Sequence, residues 1–136
     1  MTQKELIDKY PKIFVPYEGN PYDVNWYIPN GWIQLVDDLC GAIQNHVDHW
    51  KMWDKDGVHT CPQVTCVQVK EKFGGLRFYT RGGNEKTEGM IDMAEYMSFR
   101  MCINCSTREN IVNTEGWISY KCKSCAEKDG DIWEEE

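Results

Sequence analysis

No apolar run in this sequence approaches the roughly 18 residues that a bilayer-spanning helix requires. The opening stretch, MTQKELIDKY, also lacks the apolar segment of a secretory signal. Both absences lead us to expect a cytoplasmic protein with no membrane partner. Basic residues are scarce: 15 Lys and Arg stand against 22 Asp and Glu, a formal net charge of −7. Non-specific nucleic-acid binding is therefore disfavoured, because neutralising phosphates takes an excess of cations on the contact surface. There is no internal repeat, no low-complexity segment and no G-x-S-x-G. No cysteine has the helix or histidine context of a nucleophile. Asp37, Asp38, Glu71 and Asp92 would meet only by coincidence of folding, so no enzyme is expected.

What is present suits one ordinary globular domain. The 136 residues are 41% hydrophobic and 12% aromatic, with six tryptophans, enough to bury one core and too few for two. Charge is uneven along the chain. Residues 1–60 carry five Lys and Arg and nine Asp and Glu, residues 61–101 carry six and five, and residues 102–136 carry four and eight. The middle third is the electropositive part.

The stretch to about Asn30 holds Pro11, Pro16, Gly19, Pro21 and Pro29. After a short helix at 2–10 it reads as an extended wrap, with Phe14, Tyr17, Tyr22 and Trp26 packing on the core. Asn30 is a candidate cap for a helix running to about residue 50, in which Trp32, Leu35, Val36, Leu39, Ile43, Val47 and Trp50 recur at helical spacing. After the Asp56-Gly57 turn, Val64 to Val69, Phe73-Gly74-Gly75 and Leu76 to Tyr79 read as a β-hairpin turned by the glycines. A further helix is expected at about 85–101, with Met90, Ala94, Met97 and Met101 as one stripe delivering Cys102 from its end. Ile111-Val112, a turn at Asn113 to Gly116, and Trp117 to Tyr120 suggest a further small hairpin.

Seven cysteines are an odd number, and four form the pattern Cys102-x2-Cys105-x16-Cys122-x2-Cys125. That spacing belongs to a metal site more than to a disulfide framework. Two C-x-x-C knuckles joined by a hairpin can close a tetrahedron around one Zn²⁺, filling every position with protein sulfur, which predicts a structural ion. The spacing lacks an iron-sulfur signature, which favours zinc over iron. His46, His49, His59, Cys61 and Cys66 invite a second site. His46, however, falls within the apolar stripe and reads as a core imidazole satisfied by backbone, and Cys40 and Cys66 read as small hydrophobes.

Alternation along the predicted hairpin puts Val67 and Val69 on one face and Gln68, Lys70 and Lys72 on the other. The second strand separates Leu76 and Phe78 from Arg77, Tyr79 and Arg81. Lys70, Lys72, Arg77, Tyr79 and Arg81 are thus candidates for contact with an anion or with nucleic acid, against the simpler reading of a solvated face. Trp26, Tyr27, Trp53 and Trp133 are candidate contacts for a protein partner.

The fold expected is α+β: a small antiparallel hairpin packed by two helices, with a zinc-ribbon-like subdomain. Residues 1–101 form the core with its N-terminal wrap, 102–126 the four-cysteine subdomain, and 127–136 an acidic tail. GWIQLVDDLC at 31–40, VQVKEKFGGLRFY at 67–79, Ser98, the two C-x-x-C pairs and the Gly116-Trp117 pair together resemble a family of small uncharacterised proteins from tailed phages and prophages. The resemblance covers roughly residues 31–126 and implies a phage origin and a zinc-ribbon end, with no activity to carry over. A small acidic phage product of this class is expected to bind or inhibit a host protein, such as a defence component. Nucleic-acid binding through the zinc ribbon and the basic hairpin face is the alternative.

Overall fold

Thr2 opens the first helix, its hydroxyl accepting the Glu5 amide at 3.1 Å, and α1 (Gln3–Lys9) buries Leu6 against the core. The computed structural model describes residues 1–16 and 26–134. The expected packing of Tyr17 and Tyr22 lies outside the described residues, as do Glu135 and Glu136 of the acidic tail. Phe14 and Trp26 are buried and meet edge-to-face, with ring centroids 5.3 Å apart.

Just beyond α1, the Tyr10 hydroxyl donates to Asp37 Oδ1 at 2.6 Å, and Lys9 Nζ lies 3.0 Å from the same oxygen. The Tyr10 hydrogen bond, helped by Lys9 and opposed by burial, holds the Asp37 carboxyl below its ordinary value. A carboxylate so depressed contributes stability above its unfolded-state pKa and loses it as pH falls through the folded value. Tyr10→Phe is therefore expected to cost about 1.5–3 kcal/mol at neutral pH. Urea melts at descending pH should show the deficit vanishing on the acid side; a pH-independent deficit would refute the pairing.

A 3₁₀ turn, Asn30–Trp32, feeds α2 (Ile33–His49), which buries Ile33, Leu35, Val36, Leu39, Cys40 and Ile43. Asn30 does not cap this helix. It sits inside the 3₁₀ turn, and the residue in the cap position, Trp32, makes no side-chain cap bond. Next comes a hairpin of which the sequence pattern shows only the Asp56-Gly57 turn, β1 (Lys51–Asp54) with β2 (Gly57–Thr60), paired Trp53 to Val58 and Met52 to His59. All eight of its residues are exposed, so no buried alternation marks it in the sequence.

The hairpin at the centre of the fold is β3 (Thr65–Lys72) with β4 (Gly75–Arg81), antiparallel as predicted. Phe73 and Gly74, with φ of 52° and 87°, are the two turn residues, a left-handed pair that matches the twist of the strands. The register shifts between Cys66 and Gln68. Val67, expected on the same face as Val69, is thereby thrown outward and stands 41% exposed while Val69 is buried.

Both edges of this hairpin are covered. Trp26 bridges Val69 in parallel on one side, with the Tyr27 amide donating to Val69 O at 3.1 Å. On the other side, Ser98 Oγ and Glu95 Oε2 accept the Leu76 and Phe78 amides, each at 2.9 Å. Those acceptors come from α3 (Glu85–Ser98), opened by a reciprocal capping box between Asn84 and Thr87. The helix stops three residues before Met101. Its buried stripe is Thr87, Ile91, Ala94 and Ser98, with Met90 and Met97 at the margins. The predicted methionine stripe is thus rotated, because the buried face is set by hydrogen bonding to β4 as well as by apolarity. The architecture is α+β, with three small antiparallel sheets and four helices among the described residues. None of these helices is long and apolar enough to cross a membrane.

Candidate metal centre

Phe99 to Met101 carry the chain from α3 to the first knuckle, Cys102-Ile103-Asn104-Cys105. There the Ser106 amide donates to Cys102 O at 3.0 Å and the Cys102 amide to Thr107 O at 2.8 Å. Closing this loop requires a left-handed residue, and Ser106 fills that place with φ of 73°. β5 (Ile111–Asn113) pairs with β6 (Tyr120–Cys122), and α4 (Lys123–Lys128) follows at once, so Cys122 caps the helix that carries Cys125. The Cys125 amide donates to Cys122 Sγ at 3.4 Å. Backbone bonds from Ile103 N to Tyr120 O (2.9 Å) and from Lys123 N to Asn110 O (3.0 Å) hold the two knuckles face to face.

The strand containing Tyr120 begins later than expected. Thr114, nearly fully buried, accepts the Ser119 amide at 2.9 Å and donates to Trp117 O at 3.1 Å. This cinches the loop and leaves Trp117 83% exposed. Beyond α4 the chain returns to the same unit. Trp133 bridges Thr114, and Lys121 Nζ meets Asp129 at 2.8 Å and Asp131 at 2.6 Å.

The sulfurs of Cys102, Cys105, Cys122 and Cys125 all lie within 4.8 Å of one another. Cys105 and Cys122 Sγ are 3.8 Å apart. An ideal tetrahedron with metal–sulfur bonds of about 2.3 Å has edges of about 3.8 Å, so the donors fit one ion. Burial pushes the Cys102 thiol up, but the peptide NH groups of Cys122, Cys105 and Asn104 outweigh it and bring the group down to about 7. Cys125 is pushed up to about 12, chiefly by its interaction with Cys122 and then by burial. Cys105 is the exposed member of the four. Because every donor is a protein sulfur, a bound ion keeps no position for water and is unsuited to activating one.

This unit docks on the core through glycines. At Gly31 an added Cβ would overlap Cys102 O and the Ile103 carbonyl; at Gly75 it would overlap the Phe99 ring; at Gly74 it would come within 2.8 Å of the Tyr120 ring. The Gly31 amide donates to Ile103 O at 2.8 Å, and Ser106 Oγ donates to Gly31 O at 2.7 Å. In Gly74-Gly75, expected from the sequence to serve the turn, Gly74 therefore also makes room for Tyr120 of the metal unit and Gly75 for the Phe99 ring. Of the pair only Gly74 is a turn residue, and no sequence signal separates the two roles.

The other candidates are dispersed. Among the described residues no second group of three or more metal-ligating side chains forms. His46 is half-buried and bonds the Asn84 side chain at 3.0–3.2 Å instead of backbone, beside the Trp50 ring. His59 pairs with Asp54 at 2.9 Å, the Cys61 thiol points to Pro62 O at 3.5 Å, Cys66 is buried in the core, and His49 is exposed. Of the expected partner contacts, Trp53 is 68% and Tyr27 58% exposed, whereas Trp26 is buried at 5% and cannot meet a partner. Trp133 is half-buried by its bridge to Thr114. Lys70 and Lys72 extend over the rings of Tyr79 and Phe73, and Arg77 Nη1 donates to Leu76 O at 3.2 Å. Arg81 and Tyr79 are exposed. No protein-family model, curated protein or solved structure matches the chain.

Proposed function

We propose that this chain is a zinc-stabilised, non-enzymatic binding module whose ligand is a host protein. The observation that carries the first half is the closed set of four sulfurs at tetrahedral spacing. Zn²⁺ suits four thiolates without geometric preference of its own, and the spacing lacks an iron-sulfur pattern. The resemblance of GWIQLVDDLC and VQVKEKFGGLRFY to small proteins of tailed phages and prophages is the ground for reading a phage origin, and with it a bacterial host factor such as a defence component as the partner class.

The hairpin β1–β2 supports the second half. Trp53 and Val58 face each other across the ladder and stand 68% and 54% exposed. A lone two-stranded hairpin is marginal in water, and an exposed tryptophan beside a valine is the kind of anchor that dominates protein interfaces. Affinity capture from nuclease-treated bacterial lysate is expected to retain one dominant protein that a Trp53→Ala variant loses. Capture unaffected by Trp53→Ala, or a yield of nothing beyond background, would sink the reading.

A further inference from the structure

The bridge between Trp26 and Val69 has a consequence on the opposite side of the sheet. With Trp26 and Val69 both turned to the core, Tyr27 falls on the outer face beside Lys70. That face carries Gln68, Lys70 and Lys72 from β3 and Arg77, Tyr79 and Arg81 from β4, with no carboxylate among them. Lys70, Lys72, Arg77 and Arg81 make no ion pair among the described residues, unlike Lys121 with its two aspartates. Lys70 and Lys72 lie instead over aromatic rings, 5.5 Å from the Tyr79 centroid and 5.9 Å from that of Phe73. The same face runs into a cleft of about 590 Å³ bordered by Tyr27, Lys70, Glu71, Asn104, Trp117 and Lys121, in which the Glu71 carboxylate is engaged by the Gly74 amide at 2.9 Å. Tyr27, Tyr79, Phe73 and Trp117 are 58%, 40%, 70% and 83% exposed.

Cations with no ion-pair partner among the described residues, interleaved with exposed aromatic rings, match the chemistry of an unpaired nucleic-acid strand, whose phosphates need positive charge and whose bases need flat apolar partners. A duplex keeps its bases stacked and offers such rings little. The net charge of −7 does not forbid this, because exposed charges separated by more than about 8–10 Å are largely screened at physiological salt. The excess acid lies in residues 1–60 and 102–136, whereas residues 61–101 carry six cations against five acids. We propose that this outer face and its cleft bind single-stranded nucleic acid, phosphates on Lys70, Lys72, Arg77 and Arg81 and bases on Tyr27, Tyr79 and Trp117. The site is separate from the Trp53 hairpin and shares with the protein-partner reading only the metal-held frame.

The test is fluorescence anisotropy of the zinc-loaded chain with labelled oligothymidylate of about 12 nucleotides, and with the same strand in duplex, across a salt series. Binding should favour the single strand, with a log–log salt slope no steeper than about −3, since four cations contribute about −0.7 each. Trp117→Ala and Tyr27→Ala should each weaken it about tenfold. Lys70→Ala with Arg77→Ala should flatten the slope by about 1.4. Trp53→Ala should leave binding unchanged, which separates this site from the protein-partner surface. Equal affinity for duplex, affinity indifferent to Trp117→Ala, or no binding at low salt would each overturn the assignment. Trp117 is exposed enough that its variant should fold as the parent does, and an unchanged thermal melt verifies this.

Discussion

Cys122→Ser is expected to abolish metal loading and unfold the chain from about Cys102 onward, leaving α2, α3 and the β3–β4 hairpin folded. The last third owns little apolar core: among the described residues its buried side chains are Cys102, Ile103, Thr114, Ser119, Cys122 and Ala126. Two of these six are themselves ligands, two are polar and one is alanine. At roughly 25 cal/mol per Å² of apolar area, such a set cannot offset an ordering cost of about 1–2 kcal/mol for each backbone residue. A structural four-cysteine zinc site contributes on the order of 10–16 kcal/mol, so the metal does more than the packed side chains to hold this region together. Elemental analysis should find one zinc per parent chain and none in the variant, with tryptic cleavage appearing at Arg108, Lys121 and Lys123. Strong chelation of the parent should reproduce that cleavage pattern. A Cys122→Ser protein as protease-resistant in this region as the parent would remove the metal from the account of stability.

Gly31→Ala is the second large effect, with an expected cost of about 3 kcal/mol. Its backbone is not in the left-handed region, so the cost is steric. The new methyl group would overlap carbonyl atoms of Cys102 and Ile103, which are fixed by the Ile103 N to Tyr120 O bond and by the knuckle itself. Main-chain atoms held in this way cannot step aside as the end of a flexible side chain could. Gly89→Ala is the matched control, since a Cβ there meets nothing within 4 Å on the exposed side of α3. It should stabilise by about 0.5–1 kcal/mol through helix propensity. Urea melts of the two variants should move in opposite directions, and a Gly31→Ala midpoint close to the parent's would show that the knuckle does not rest on Gly31.

The parts of the fold legible in the sequence are those with a period or a fixed spacing. α2 announces itself through Trp32, Leu35, Val36, Leu39 and Ile43, the β3–β4 hairpin through its flanking hydrophobes, and the metal cluster through two C-x-x-C pairs. Where the structure departs, the cause is a contact distant in sequence. Val67 points outward because of a bulge, and Asn30 is taken up by a 3₁₀ turn whose neighbour Gly31 rests on the knuckle. The buried stripe of α3 includes Thr87 and Ser98 because their hydroxyls serve Asn84 and the Leu76 amide. Of the exposed hairpin at 51–60 only the Asp56-Gly57 turn shows in the sequence, because alternation signals burial and nothing in its strands is buried. Tyr27 stands out in the sequence only as an aromatic; it joins the basic face through the parallel bridge of its neighbour Trp26 to Val69, 43 residues apart.

The glycine contacts also impose a timetable on synthesis. The chain leaves the ribosome from its N-terminus, so Gly31 and Gly74 emerge well before Cys122 and Cys125, which complete the metal unit whose Cys102, Ile103 and Tyr120 cover them. At roughly 5–20 residues per second, the lag between Gly31 and Cys122 is about 5–20 s. During that interval the start of α2 and the tip of the central hairpin are bare backbone with no side chain to shield them. A nascent chain arrested before Cys122 should therefore be open to proteases and chaperones at those two places, and release of the last cysteines with zinc at hand should close both at once.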